Sequence, residues 1–383
     1  MKKRKLLALG FASTIVTLPL LSATISCTND EEVKELKAKI EQMEKAHAKE
    51  LADQKALAKV ALNSKLNASS NLWNTLAPEK SAMGLTVYNL AKHAFDVMSK
   101  QDGIVTDKVV VNKEGQSTTI EVQATNENEY IPVVFMDLDE TVLNNMAYQN
   151  YLLINNETYN GTEWNNFVNS AVSTEVKGAI EFIKYVYDHG GVVMFNSNRQ
   201  QKSHIEPSKT NLNKLGLDNV YMPEWIWWMK GTNASGSVAK PWTTSNGKSS
   251  KEERMNFVSS NKLEIEEGKS VSFRVVMKVG DDINDFNDNF TKGAGVVNDY
   301  KIVNDLISNS EVGKLYGNLD INNKEQFYDV QTKQWVARDW SASYILIPGN
   351  ASYGSFIERI TQNRNPKADL YEGILSKFAE FNH

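Results

Sequence analysis

Val133-Val134-Phe135-Met136-Asp137-Leu138-Asp139-Glu140-Thr141 runs an apolar stretch into the pattern Asp-x-Asp-x-Thr. An apolar run of this length bounded by polar residues reads as a strand covered on both faces, the kind found inside a parallel sheet. Side chains alternate along an extended chain, so Asp137 and Asp139 share a side while Leu138 points away. Ligands of open α/β sheets bind beyond the carboxyl ends of the strands, where this pair falls. Two carboxylates in such a place repel and are costly to desolvate unless a cation joins them, so a divalent metal is expected.

Working outward, two further apolar runs end in chemistry. Val192-Val193-Met194-Phe195 follows a helical pattern of Val176, Ile180, Ile183 and Tyr187 that is closed by Gly190-Gly191. That strand opens into Asn196-Ser197-Asn198-Arg199, which offers a small hydroxyl donor at a second strand end. Val275-Val276-Met277-Lys278-Val279 runs into Gly280-Asp281-Asp282-Ile283-Asn284-Asp285, an acidic cluster after a tight turn. Between them, Lys248-Ser249-Ser250-Lys251-Glu252-Glu253-Arg254 reads as the start of a helix carrying cations three residues apart. Taken alone, the serine segment is an ordinary turn and the lysine segment a solvated helix face.

At 383 residues, 41% hydrophobic and 23% charged, the chain has ordinary globular composition. Its formal net charge of -5 provides no basic field, which argues against duplex nucleic acid as a partner. The start, Met1-Lys2-Lys3-Arg4-Lys5 followed by a mostly apolar stretch from Leu6 to Ile25, has the layout of an export signal. Cys27, the single cysteine, comes directly after it and looks like the lipidation site of bacterial lipoproteins. An uncleaved signal anchor is the alternative, since about 20 apolar residues span a bilayer. Either way the rest of the chain is expected outside the membrane, on the extracytoplasmic face of the cell membrane. Residues 28–66 are rich in Glu, Lys, Ala and Leu and predict a solvated helical stalk.

The order Asp-x-Asp-x-Thr, strand-Ser, Lys, Gly-Asp-x-x-x-Asp, with three of the four motifs at strand ends, resembles the haloacid dehalogenase superfamily. Within it the chain is similar to the class C acid phosphatases, bacterial surface lipoprotein acid phosphatases and 5'-nucleotidases. The likeness rests also on Gly161-Thr162-Glu163-Trp164, Gly178-Ala179-Ile180-Glu181-Phe182, His189-Gly190-Gly191 and Ile347-Pro348-Gly349-Asn350-Ala351-Ser352-Tyr353-Gly354. It implies an α/β fold, a three-layer sandwich with a central mostly parallel sheet and a small cap. The implied organisation is a signal over 1–27, the stalk, and a phosphatase domain over 67–383 with a cap insert at about 144–175. Two stretches are longer than the family pattern: a tryptophan-rich insertion at about 221–247 and the region from Asn298 to Tyr344.

The resemblance also implies roles. Asp137 is the expected nucleophile, Asp139 the acid and base, and Ser197 and Lys251 the groups that meet phosphoryl charge. Lys251 is preferred to Lys248 by its spacing to Arg254 and Asp281. Mg2+ is the implied cofactor, held by Asp137, the main-chain carbonyl of Asp139 and Asp281, with Asp285 bound through water or orienting the ligands and Asp282 turned to solvent. Asn198, Arg199, Trp164 and Tyr353 are the implied substrate contacts, the aromatic pair stacking on a nucleobase of a nucleotide phosphomonoester. The tryptophans of the insertion suit a second cap, a membrane contact or a homodimer interface. None of the five histidines lies in an Arg-His-Gly setting, which disfavours a phosphohistidine mechanism. The competing reading is a surface lipoprotein that binds nucleotides or host molecules without turnover, or does so besides catalysis.

Overall fold

Absence of Gly and Pro from residue 30 to residue 65 lets one helix, α1 (Asp30–Lys65), run uninterrupted. This is a computed structural model, and it describes residues 30–115, 117–233, 242, 248–290, 300–329, 331–349 and parts of 356–381. Cys27, the signal segment and Tyr353 lie outside the described residues. The chain divides into two units, Met1–Lys55 and Ala56–His383. In the first, the helix carries ion pairs one turn apart, Glu35 with Lys39 at 2.8 Å and Glu41 with Lys45 at 2.6 Å. Leu36, Ile40 and Met43 are exposed along it. No described helix is long and apolar enough to cross a membrane.

The second unit opens with α2 (Ala68–Leu76) and α3 (Pro78–Met98), the latter started by a proline in its first turn. The hairpin of β1 (Val109–Glu114) and β2 (Ser117–Val122) leads to β3 (Ile131–Met136), buried along its whole length as its apolar run requires. After the acidic loop, β4 (Leu143–Asn144) pairs with β5 (Thr174–Glu175) and brackets two helices, α4 (Met146–Asn155) and α5 (Gly161–Ser170). The helix read from the Val176 periodicity is α6 (Ala179–Asp188), which starts after Val176 because Gly178 sits in the left-handed region. Next come β6 (Val192–Phe195), α7 (Ile205–Lys214), α8 (Lys251–Ser260), β7 (Lys262–Glu266) and β8 (Lys269–Gly280). Further along come α9 (Tyr300–Asn309), the antiparallel pair β9 (Lys324–Asp329) and β10 (Gln334–Ser341), and β11 (Ser343–Leu346). A final helix covers Leu370–Phe381.

One sheet organises the unit, in the order β11-β8-β3-β6, with β7 added antiparallel to β8. The four strands in that order are parallel, and helices α3, α6 and α8 pack on the sheet. This is the expected α/β architecture. Register sets the site. Met136 lies opposite Phe195 on one side and Val279 on the other, so three strands end together.

The tryptophan-rich segment, whose role the sequence left open, packs inward. Trp225, Trp227, Trp228 and Trp242 are buried. Trp227 bridges to Phe195 and packs on its ring at 4.9 Å, while the Trp228 amide donates to the Phe195 carbonyl at 2.9 Å. Trp225 stacks on Phe273 of β8 at 5.7 Å, and Trp228 packs on Trp242 at 5.2 Å and on Phe257 of α8 at 6.1 Å, so the indoles bury apolar area inside the unit.

Candidate active site

Three loops leave the aligned strand ends. The Asp137 amide donates to the Val279 carbonyl at 3.0 Å, and the Asn196 amide to the Met136 carbonyl at 2.7 Å, so ladder pairing continues into the loops. Asp137, Ser197 and Asp281 are thereby delivered to one place, all buried. Lys251 arrives from elsewhere. Ser250 caps α8 in a reciprocal box with Glu253, its hydroxyl accepting from the Glu253 amide at 3.1 Å, which makes Lys251 the first helical residue. Arg254, one turn on, donates to the carbonyls of Ser197 at 2.8 Å and Trp228 at 2.6 Å and ties that helix to the second strand end.

Lys251 Nζ then lies 2.7 Å from Asp137 Oδ1 and 2.8 Å from Asp285 Oδ1, with its side chain 1% exposed. Asp137, Asp281 and Asp285 each present a carboxylate oxygen within 4.8 Å of the others. Asp285 also accepts the amides of Asp281 and Asp282, both at 3.0 Å, through Oδ2. Gly280 permits this fold-back, because a Cβ there would stand 2.3 Å from both Cβ and Oδ2 of Asp285. Asp282 is half-buried, its Oδ1 accepting from the Asn284 amide at 2.9 Å and from Asn284 Nδ2 at 2.6 Å. The expectation that it faces solvent is corrected: an Asx turn holds it.

Burial pushes Asp137 up to about 7, with Lys251 opposing and Asp285 and Asp139 adding to the rise. Burial likewise carries Asp281 well above the ordinary carboxylate value, with Asp285 and Asp137 adding to it. Burial would lower Lys251, but Asp137 and Asp285 together hold it above its ordinary value. One ammonium thus faces three carboxylates, and Asp281 Oδ2 is buried with no hydrogen-bond partner among the described residues. A hard divalent cation fits this donor set, since all the donors are oxygens and the three carboxylates, once ionised, carry two more charges than Lys251 offsets.

Asp139 stands apart from the carboxylate group and faces Arg199. Its Oδ1 accepts from Arg199 Nε at 3.0 Å, Arg199 Nη2 at 2.7 Å and Asn145 Nδ2 at 2.8 Å. Ser197 accepts the Arg199 amide through Oγ at 3.1 Å. Trp164, half-buried on α5, packs on Tyr148 at 5.2 Å and has the Arg199 guanidinium 5.8 Å from its ring. Asn198 is exposed beside them. The structure therefore brings together Asp137, Lys251, Asp281 and Asp285, with Asp139 and Ser197 on the adjoining loops.

The family model for the HAD superfamily, subfamily IIIB (acid phosphatase), matches residues 53–312. This chain belongs to that family. As an acid phosphatase it is a hydrolase of small phosphomonoesters, and phosphatases of the superfamily typically use a divalent metal, for which the buried aspartates provide a place. Its fold is similar to the class C acid phosphatase from Bacillus anthracis, at 20% identity and TM-score 0.52, over 84% of this chain and 98% of that one. The crystal structure of the Bacillus anthracis enzyme with tungstate bound matches at 19% identity and TM-score 0.52, over 84% of this chain and 97% of the other. The acid phosphatase also contains groups that motif reading passed over. Asn145 and Glu140 sit in the loop after Asp139, and neither has a spacing that separates it from an ordinary loop residue. Glu140 does carry a signal in the backbone, a φ of 57° that a non-glycine residue adopts only when its surroundings hold it there.

Proposed function

We propose that this acid phosphatase is a surface-anchored, Mg2+-dependent phosphomonoesterase that hydrolyses nucleoside 5'-monophosphates and related esters through an aspartyl phosphate. The observation that carries the reading is Asp137 itself, buried at the end of β3, bonded to Lys251 and adjoining Asp281 and Asp285. Ester cleavage needs a nucleophile, a proton for the leaving oxygen and positive groups for the phosphoryl oxygens. Asp137 attacks phosphorus, and the bond from phosphorus to the ester oxygen breaks as the new one forms. Asp139 gives its proton to the departing oxygen, then takes one from the water whose oxygen frees phosphate from Asp137. Lys251, the Ser197 hydroxyl and the amides after Asp137 meet the charge that grows on the phosphoryl oxygens. Asp137, Asp281, Asp285 and the Asp139 carbonyl are the groups that would hold Mg2+, which supplies further positive charge when bound.

Trp164, half-buried on a cap helix, supports stacking of an aromatic leaving group, with Tyr353 and Asn198 as the other proposed contacts. Residues 1–27 are proposed as the signal and Cys27 as the lipid anchor, with 28–66 as the spacer that carries the domain over 67–383 on the extracytoplasmic face. The test is phosphate release from 5'-AMP, nicotinamide mononucleotide, p-nitrophenyl phosphate and a simple alkyl phosphate by the form starting after Cys27. Turnover should vanish in EDTA, return with Mg2+ and favour the nucleotides over the alkyl ester. Equal rates on all four esters would count against the stacking contacts, and activity indifferent to EDTA against the metal.

A further inference from the structure

Arg199 is the charged group whose place least matches a substrate contact. Its side chain is 1% exposed, and its guanidinium is already engaged on both sides. Nε and Nη2 converge on Asp139 Oδ1, and Nη1 donates to Ser208 Oγ of α7 at 2.9 Å. An arginine usually spreads its fork over both oxygens of a carboxylate. Here the fork closes on one, and Asn145 Nδ2 adds a third donor to that same oxygen at 2.8 Å. Among the described residues no donor reaches Asp139 Oδ2, and the Asp139 side chain keeps 20% of its surface exposed.

Asn145 is held as firmly as Arg199. It is fully buried, its amide and Nδ2 donate to Glu140 at 2.8 and 3.0 Å, and its Oδ1 accepts from Ser173 Oγ at 2.6 Å. Ser173 in turn exchanges hydrogen bonds with Asn211 of α7, at 2.9 and 2.8 Å. Two arms rooted in α7, through Ser208 and Arg199 and through Asn211, Ser173 and Asn145, thus meet on one oxygen. Glu140, whose φ is 57°, accepts from Asn145 in this second arm, and its amide donates to the Leu143 carbonyl at 2.7 Å.

We propose that Arg199 and Asn145 are positioning residues for Asp139: they fix its carboxyl by Oδ1 and leave Oδ2 as the oxygen that carries the proton to and from the reacting atoms. This rests on the reading of Asp139 as acid and base and assigns its geometry. All three guanidinium nitrogens of Arg199 already have protein partners, and its Cζ lies 5.8 Å from the centre of the Trp164 ring. Orientation of a proton donor to within a fraction of an ångström is what a general acid needs, and such groups contribute about 10²- to 10⁴-fold.

The test separates proton delivery from phosphate binding by the basicity of the leaving group. kcat/KM covers the steps through departure of that group, and 2,4-dinitrophenolate leaves without a proton whereas an alkoxide does not. Along a series from 2,4-dinitrophenyl phosphate through phenyl phosphate to an alkyl phosphate, Arg199→Gln and Asn145→Ala should lose about 10- to 100-fold more on the alkyl ester than on the dinitrophenyl ester. Inhibition by inorganic phosphate should stay within about threefold of the parent enzyme. Ser208→Ala, which leaves the fork itself in place, should show the same bias at smaller size and serves if Arg199→Gln does not fold. A loss equal across the series, with weakened inhibition by phosphate, would overturn the proposal and make Arg199 a phosphate contact. Asp139→Ala runs alongside: should it show no leaving-group bias, the acid and base reading itself fails; should it alone show one, only the positioning claim does.

Discussion

Asp137 and Gly280 show how much one residue decides. Replacing Asp137 with Asn keeps the shape of the side chain but removes its charge and most of its nucleophilicity. Phosphate release should fall by more than about a thousandfold, measured against 5'-AMP with the fold checked by circular dichroism; turnover that survives would reject the nucleophile. Gly280 has no part in the chemistry, yet a methyl group on it would collide with Asp285, which cannot yield without releasing the amides of Asp281 and Asp282. Gly280→Ala should cost about 1 to 3 kcal/mol of stability and weaken metal binding, read by urea unfolding and by titration calorimetry. Unchanged affinity would show that Asp285 is dispensable to the metal.

Between elements, the join of β8 to the hairpin of β9 and β10 stands out, because it is ionic and buried. Lys278 Nζ lies 2.8 Å from Glu325 Oε1, at 2% and 5% side-chain exposure, and donates to the Phe286 carbonyl at 2.9 Å. Burial would lower Lys278, but Glu325, with Tyr344 and Glu252, holds it above its ordinary value, so it stays charged. Removing one partner of such a pair strands the other. Glu325→Ala should therefore destabilise by about 3 to 5 kcal/mol in equilibrium urea unfolding, and a cost under about 1 kcal/mol would mean that Glu252, 3.8 Å away, compensates. The pair also shows how the enlarged C-terminal region is integrated: it supplies the counter-charge for a lysine in the strand that delivers Asp281.

For the whole molecule, the buried carboxylates link protons, metal and folding. Asp137 is raised from the ordinary carboxylate value of 3.8 to about 7, so the metal-free folded state holds its proton more tightly than the unfolded chain does. The stability from that proton is complete below about pH 4 and is lost as pH rises through about 7. A metal needs these groups ionised, so it competes with protons at low pH and replaces them at high pH. The rise in Tm on adding Mg2+ should therefore be larger at pH 8 than at pH 5.5, and an equal rise at both would show that the metal binds away from Asp137. How much was legible beforehand follows from the range of the interactions. The strands ending at Met136 and Phe195 were readable because apolar runs act between near neighbours, and a helix was readable in the segment Lys248 to Arg254, though its start at Lys251 and the Ser250 cap were not. Asp137, Ser197 and Asp281 could be singled out because each closely follows an apolar run, whereas the roles given to them, to Asp139, to Lys251 and to Asp285 rest on likeness to the family. The register was not readable: Val133 faces Val275 while Val134 faces Met277, and this one-residue slip brings Val279 opposite Met136. Nor was the burial of the tryptophans against β6, β8 and α8, or the closing of Arg199 and Asn145 on a single oxygen. Each depends on which distant segments share a hydrogen bond or a surface, and composition along a chain carries no record of that until the packing of the folded molecule selects it.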